Sequence, residues 1–290
     1  MSTKPGAGVA ARSEPDAIDA APAAVTLVRD LVHETTGLYY GDDRAPQLVD
    51  RLVPLVLERG FPSLLDYYYL LKYDTAAAPE EWRRVFDALA VPETYFWREI
   101  DQLRALVTGV VPRCVEALAG RPLRIWSIPC ASGEEPLTLA MLLDEAGWFG
   151  RAPIEIEGSD ASPAGIARAQ TGVYRGRAFR NLSPEVRDRY FSREGETWRV
   201  DPGLHKRVTW SVVNLMDPSD AAPRATAPIV LCRNLFIYFS ERSIRQAVAM
   251  FAARMPRPGY LAVGVSESLL KVTNDFDLQD VGGAFMYVKR

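Results

Sequence analysis

From Leu123 to the C-terminus, short apolar runs alternate with amphipathic stretches of helical period, and no other feature of the chain limits the fold as tightly. "LRIWSI" leads into "EPLTLAMLLDEAG" and "IEIEGSD" into "SPAGIARAQ"; "VTWSVVN", "APIVLCRN", "ERSIRQAVAMFAARM", "YLAVGV" and a closing "AFMYV" follow. Strands separated by helices are joined by right-handed crossovers, so the pattern predicts a mostly parallel, doubly wound sheet covered on both faces. The segment 171–207 breaks the alternation. It is polar and rich in arginine, contains Gly172, Gly176, Gly195 and Gly203, and reads as an inserted subdomain or long excursion.

The preceding part has a different texture. Leu27, Val28, Leu31 and Val32, then Leu48, Val49, Leu52, Leu55 and Val56, then Trp82, Val85, Phe86 and Leu89 form stripes of helical spacing. Pro54 is expected to kink or break the second stripe. Residues 1–23, rich in Ala, Pro, Gly, Ser and Asp, hold too little apolar surface to offset ordering entropy and read as a flexible tail. The expected organisation is therefore a tail over 1–23, an all-helical domain over 24–115 and an α/β domain over 116–290, with the insertion inside it.

Composition removes several classes. A formal net charge of −3 offers no general footprint for nucleic acid. Cys114, Cys130 and Cys232 are odd in number and widely spaced, and His33 and His205 stand far apart, so neither a disulfide framework nor a metal site is expected. No apolar run reaches the roughly 20 residues that span a bilayer, and the N-terminus has no signal-peptide core. These features predict a cytoplasmic protein.

Ligands of doubly wound sheets bind beyond the carboxyl ends of the strands. Here those ends carry "PCASGEE", Asp160, Asn214, and the pair Arg233 and Asn234. Ser132 and Glu135 have the spacing of a capping box, which leaves Glu134 without a local duty. Asp160 ends the second strand, where a carboxylate takes the hydroxyls of a ribose, although a loop or capping acid is the competing assignment. Ser162 and Pro163 already suit the start of the next helix, leaving Asp160 free. A dinucleotide fingerprint is missing, and two acids at a helix mouth repel phosphate. An adenosine with a cationic tail, as in S-adenosylmethionine, suits the set.

Taken together, "ETYFWRE" (93–99), "CASGEEPLTLAMLL" (130–143), "GSDASPAGIARAQTGVY" (158–174), "VVNLMDP" (212–218), "LCRNLFIYFS" (231–240) and "GVSESL" (264–269) resemble the CheR family of chemotaxis receptor methyltransferases. The resemblance implies a class I, Rossmann-like methyltransferase fold. It also implies S-adenosylmethionine as donor, S-adenosylhomocysteine as product, and glutamate side chains on the cytoplasmic helices of chemoreceptors as acceptor. Carried over by position, the cofactor contacts fall on Thr94, Arg98, Glu134, Asp160, Asn214, Leu215, Arg233 and Asn234, with no metal. Arg98 is also a candidate to orient the acceptor carboxylate. Tyr238 is a candidate wall or hydrogen-bond donor, against the alternative of an aromatic packed at a strand-to-helix junction.

The chain departs from the family pattern at Pro92, Pro129, Ser132, Ser162 and Val265, where the family commonly has Asn, Gly, Thr, Asp and His. "SREGETWRVDPG" is short for a loop that docks a receptor C-terminal pentapeptide, so a monomer acting without that tether is expected, with no nucleic acid partner and no insertion into a membrane. Arg175, Arg177, Arg180, Arg187, Arg189 and Arg193 of the insertion face either acidic receptor helices or solvent. Two alternatives stay open: a non-catalytic or weakly donor-binding scaffold in a signalling complex, motivated by Pro92 and Pro129, and a methyltransferase for another acceptor such as nucleic acid.

Overall fold

A computed structural model describes residues 18–290. Most of the expected tail, residues 1–17, lies outside the described residues. The remainder of it is not free: Asp19 exchanges backbone hydrogen bonds with Pro62 and Leu64, and helix α1 (Pro22–Thr36) already begins inside the stretch.

Helix α1 packs with α2 (Ala45–Glu58), α3 (Leu64–Tyr73) and α4 (Ala78–Leu89) around Val28, Val32, Leu48, Leu52, Val56, Leu64 and Val85. Leu27 of the first stripe faces solvent. Pro54 does not break α2. The carbonyl deprived of its donor belongs to Asp50, and both residues are exposed, so water takes the bond while Leu48, Leu52 and Val56 keep the buried stripe continuous. Inside this domain Glu81 is fully buried, with Tyr67 Oη donating at 2.9 Å and Arg59 Nε at 2.6 Å.

The helical texture continues through α5 (Ile100–Ala105), a π-helical turn (Leu106–Val110) and α6 (Val111–Leu118). Leu103, Leu106, Val110 and Cys114 of these elements share one core with Leu123 and Ile125 of the sheet. Packing therefore divides the chain in the 90–99 linker, not at residue 115. Helical period alone cannot say which core a helix joins.

The main sheet contains β1 (Leu123–Ser127), β2 (Ile154–Asp160), β6 (Val208–Val212), β7 (Ile229–Leu231), β8 (Tyr260–Ala262), β9 (Phe276–Val281) and β10 (Ala284–Lys289). Their spatial order is β6-β2-β1-β7-β8-β10-β9. The first five positions are parallel, and β10 runs antiparallel to β8 and β9. Helices α7 (Glu134–Glu145), α8 (Pro163–Thr171) and the long α10 (Glu241–Arg254) complete the layers. Strand order reverses at the β1/β7 boundary, so a crevice opens at the carboxyl ends of those strands.

The insertion is a three-stranded antiparallel sheet, β3 (Val173–Arg175), β5 (Thr197–Val200) and β4 (Phe191–Glu194), with α9 (Pro184–Tyr190) between β3 and β4. Phe96 from the linker enters its aromatic core. The Phe96 ring stands 4.9 Å from Tyr174, 5.3 Å from Phe179 and 5.0 Å from Phe191. Aromatic contacts of this kind, with the Phe96 N–H donating to Ala178 O at 2.9 Å, clamp the linker against the sheet domain. Thr94 and Arg98 flank that anchor.

Candidate active site

Five chain segments meet over the crevice. The clamped linker brings Pro92, Thr94 and Arg98; the β1 end brings Cys130 and Ala131; the β2 and β6 ends bring Asp160, Asn214 and Leu215; the β7 end brings Arg233, Asn234 and Tyr238. Together they line an open cleft of about 1230 Å³, its mouth included. Eight of the nine residues singled out from sequence therefore line one cavity. Glu134 does not.

Neither of the two adjacent acids closes a capping box, and it is Glu135, not Glu134, that lines the cleft. The N-cap of α7 is Gly133, at φ 95°, one residue later than the capping box requires, and no side chain caps it. Gly133 is also confined by Trp210, since an added Cβ would lie 2.7 Å from its ring. Glu134 is buried behind the cleft, with Ser132 Oγ donating to its carboxylate at 2.9 and 3.1 Å. Burial raises the Glu134 carboxyl above its ordinary pKa, against the opposing Ser132 bond. Glu135 instead lines the cleft, accepting from Ser127 Oγ at 2.8 Å and from Arg233 Nη1 at 2.8 Å.

Asp160 is fixed in place. Its two oxygens accept the Ala131 N–H at 2.8 Å and the Ser162 N–H at 2.9 Å, so the carboxylate has one defined orientation and each oxygen keeps a further lone pair. Burial raises its pKa, and the two N–H groups work against that shift. Ser162 caps α8 as expected, its Oγ accepting from Gly165 N at 2.9 Å. Asp87 of α4 supports the same turn, accepting from Ser162 Oγ at 2.6 Å and Ala164 N at 2.9 Å.

Arg233 is the electrostatic centre. Its side chain is 1% exposed and pairs with Glu135 at 2.8 Å and Glu99 at 3.0 Å. Glu99 also accepts from Asn234 Nδ2 at 3.1 Å and Val265 N at 3.2 Å. Burial alone would raise the Glu99 carboxyl; the Arg233 charge and these hydrogen bonds hold it below its ordinary value. A second acid, Glu267, accepts backbone N–H groups from Asn234, Phe236, Ile237 and Gly264 and so folds the loop after β7. Trp97, Glu99, Ala131 and Asn234 all hold positive φ here, the strained backbone that binding sites tend to carry.

Other cleft positions also make contacts within the framework. Asn214 Nδ2 donates to Thr35 O at 2.8 Å, and its Oδ1 accepts the Met216 N–H at 3.0 Å, so its amide fastens α1 to the end of β6. Tyr238 O accepts the Tyr39 N–H at 2.8 Å. Arg98 Nη1 donates to Glu93 O at 2.6 Å, with its guanidinium over the Tyr95 ring. Pro129 follows a cis peptide in the β1 loop. Glu99 and Glu267, which sequence reasoning passed over, sit inside the quoted motifs "ETYFWRE" and "GVSESL"; an acid adjoining a singled-out arginine was the available signal for Glu99.

The donor set suits a neutral or cationic nucleoside: an oriented carboxylate at the β2 end, an apolar wall of Ile128, Val213 and Leu215, and acids near the helix mouth in place of a phosphate cradle. Two family models match the chain: "CheR methyltransferase, SAM binding domain" over residues 92–283, and "CheR methyltransferase, all-alpha domain" over residues 23–90. The chain belongs to the CheR methyltransferase family. It is 31% identical over 253 residues to chemotaxis protein methyltransferase 2 of Vibrio cholerae, covering 87% of each protein. With chemotaxis protein methyltransferase 1 of Pseudomonas aeruginosa it shares 30% identity over 93% of this chain and 99% of the relative. With the probable biofilm formation methyltransferase WspC of Pseudomonas putida it shares 31% identity over 89% of this chain and 60% of the relative. Among solved structures, magnesium protoporphyrin IX methyltransferase from Synechocystis with bound SAM aligns at a TM-score of 0.32 and 14% identity, covering 95% and 98% of the two chains. This CheR-family protein is thus an S-adenosylmethionine-dependent methyltransferase, with a class I sheet joined to an all-helical domain. Among the described residues no helix is long and apolar enough to cross a membrane, and no cluster of His, Cys, Asp or Glu could hold a metal ion.

Proposed function

We propose that this CheR-family enzyme methylates glutamate side chains on the cytoplasmic helices of a chemoreceptor, acting in the cytoplasm as a monomer. The observation that carries the reading is the cleft itself, where Asp160, Arg98 and Tyr238 line one space between the linker and the strand ends. S-adenosylmethionine supplies an electrophilic methyl on a sulfonium. Asp160 is assigned to the ribose hydroxyls, which its immobile oxygens are oriented to accept. Thr94 and Leu215 are assigned to cover the donor, while Asn214, Arg233 and Asn234 keep the strand ends and linker in register around it. Glu134 acts from behind the wall by holding the Ser132 turn.

The acceptor carboxylate is ionised at neutral pH, so no general base is needed and the work is positioning and exclusion of water. Arg98, half-buried at the cleft, is assigned to orient that carboxylate, with Tyr238 walling it in. The relatives named for chemotaxis, matched over 87% and 99% of their own lengths, support that signalling output. The β4–β5 turn consists of Gly195 and Glu196, which supports action without a pentapeptide tether, and the net charge of −3 speaks against a nucleic acid acceptor. Cys114, Cys130 and Cys232 are buried free thiols, the state a reducing compartment maintains. Calorimetric titration with S-adenosylmethionine tests the assignment: Asp160→Ala should weaken binding tenfold or more, the loss of roughly 1.4 kcal/mol, and equal affinities would overturn it.

A further inference from the structure

A second cleft of about 990 Å³, mouth included, opens beside the first and shares none of its lining residues. The two back onto one wall. Glu99 reaches Arg233 and Asn234 on the first side and Val265 on the other, and Glu267 joins Asn234 to Gly264 in the same way. Val265, Phe285 and Leu278 rim the second cleft and are 74%, 63% and 37% exposed, an unusual outlay of large apolar side chains beside a polar site.

Its charge is of one sign. Glu99, Asp101 and Glu267 line it, without a lysine or arginine. Glu99 and Glu267 are already engaged. Asp101 is 91% exposed and lies 3.7 Å from Arg104, a loose surface pair. The floor holds an unmet acceptor. Gln102 is 8% exposed; its Nε2 donates to Val263 O and Phe285 O, both at 3.1 Å, which prevents the amide from turning over, and its Oε1 has no partner among the described residues.

We propose that this cleft is an acceptor subsite that takes a lysine or arginine side chain lying one or two turns from the target glutamate on the substrate helix. The inference rests on the acceptor assigned above. A long cationic side chain lays its methylene stem along apolar walls and keeps its head at an acid, here Asp101, and brings N–H donors toward the Gln102 amide oxygen. Residues three, four or seven apart share a helix face, so one helix can place its glutamate in the first cleft and this cation in the second. The wall built on Glu99 separates the two and sets their spacing.

The test uses the full chain, S-adenosylmethionine with a tritiated methyl, and a chemoreceptor cytoplasmic fragment that carries a lysine or arginine one or two turns from a methylated glutamate. Asp101→Lys and Phe285→Ala, both at exposed positions, should each raise the acceptor KM about fivefold or more, with donor affinity and kcat at saturating acceptor retained. Replacing the flanking cation of the receptor by glutamate should slow the wild-type enzyme and be restored with Asp101→Lys. Unchanged KM in both variants, or no restoration in the charge swap, would overturn the subsite while leaving the acceptor assignment standing. Absence of any methyl transfer by the wild type would overturn both.

Discussion

Glu99→Gln is the sharpest perturbation of the site, because it keeps the shape of the side chain while removing its charge and turning one of its two acceptors into a donor. Oε1 accepts from Asn234 Nδ2 at 3.1 Å, and Oε2 from Arg233 Nη2 at 3.0 Å and Val265 N at 3.2 Å. The less costly amide orientation keeps its carbonyl on Arg233 and Val265 and turns its NH₂ against the Asn234 donor. One hydrogen bond is lost and one to a charged partner is weakened, at about 1 and 1.5–3 kcal/mol respectively when wholly removed, so the expected destabilisation is about 2–3 kcal/mol. It stays below the roughly 3–5 kcal/mol for an orphaned buried charge because Glu135 still pairs with Arg233. With a urea m-value of about 3 kcal/mol/M the unfolding midpoint should fall by about 0.7–1 M at pH 7. The Glu99 carboxyl lies below its ordinary value in the folded protein, so its contribution is present above the unfolded-state pKa near ~4.3 and is lost as pH falls through the folded value. The gap between wild type and variant should therefore close in acid. A midpoint within about 0.2 M of wild type at pH 7, or a gap that persists undiminished in acid, would refute the reasoning.

Three further outcomes follow from other contacts. Glu267→Ala removes the acceptor of four backbone N–H groups, and at roughly 1 kcal/mol each, with water replacing some, should cost about 2–4 kcal/mol by thermal unfolding; an unchanged melting temperature would count against that role. His33, 2.8 Å from Ser240 Oγ, has its pKa lowered by burial and by Arg242, so its contribution to stability is present above the unfolded value near ~6.5 and is lost as pH falls through the folded value. Its proton NMR titration should have a midpoint below that of a free histidine, and one at or above it would be wrong for this packing. Burial pushes the Cys130 and Cys232 thiols far above the usual range, so iodoacetamide at mildly alkaline pH should leave both unlabelled until the protein unfolds.

The sequence made the strand ends legible because each is a short apolar run that closes on a polar residue. Asp160, Asn214, Arg233 and Asn234 were found in that way and line one cleft. What it could not supply was direction around a helix. Adjacent residues of an α-helix point about 100° apart, so moving the N-cap from Ser132 to Gly133 is enough to send Glu134 behind the wall and Glu135 onto Arg233. Strand β9 carries no such signal because only its two ends, Phe276 and Val281, are buried, which leaves no alternation along it. Glu267 left no local trace either, since the N–H groups it serves include those of Asn234, Phe236 and Ile237, far away along the chain. The reach of Asn214 to Thr35 is likewise a product of how α1 docks on the sheet domain, which no periodicity encodes.

Methyl esterification of glutamate is the central claim, and the chemistry of the product tests it most directly. The protein is incubated with S-adenosylmethionine carrying a tritiated methyl and a chemoreceptor cytoplasmic fragment, and the isolated receptor is then treated with mild alkali. The structure predicts label on the receptor that is released as volatile methanol, the behaviour of a carboxyl ester. Label that survives alkali, or an unlabelled receptor beside an enzyme that binds the donor, would contradict it.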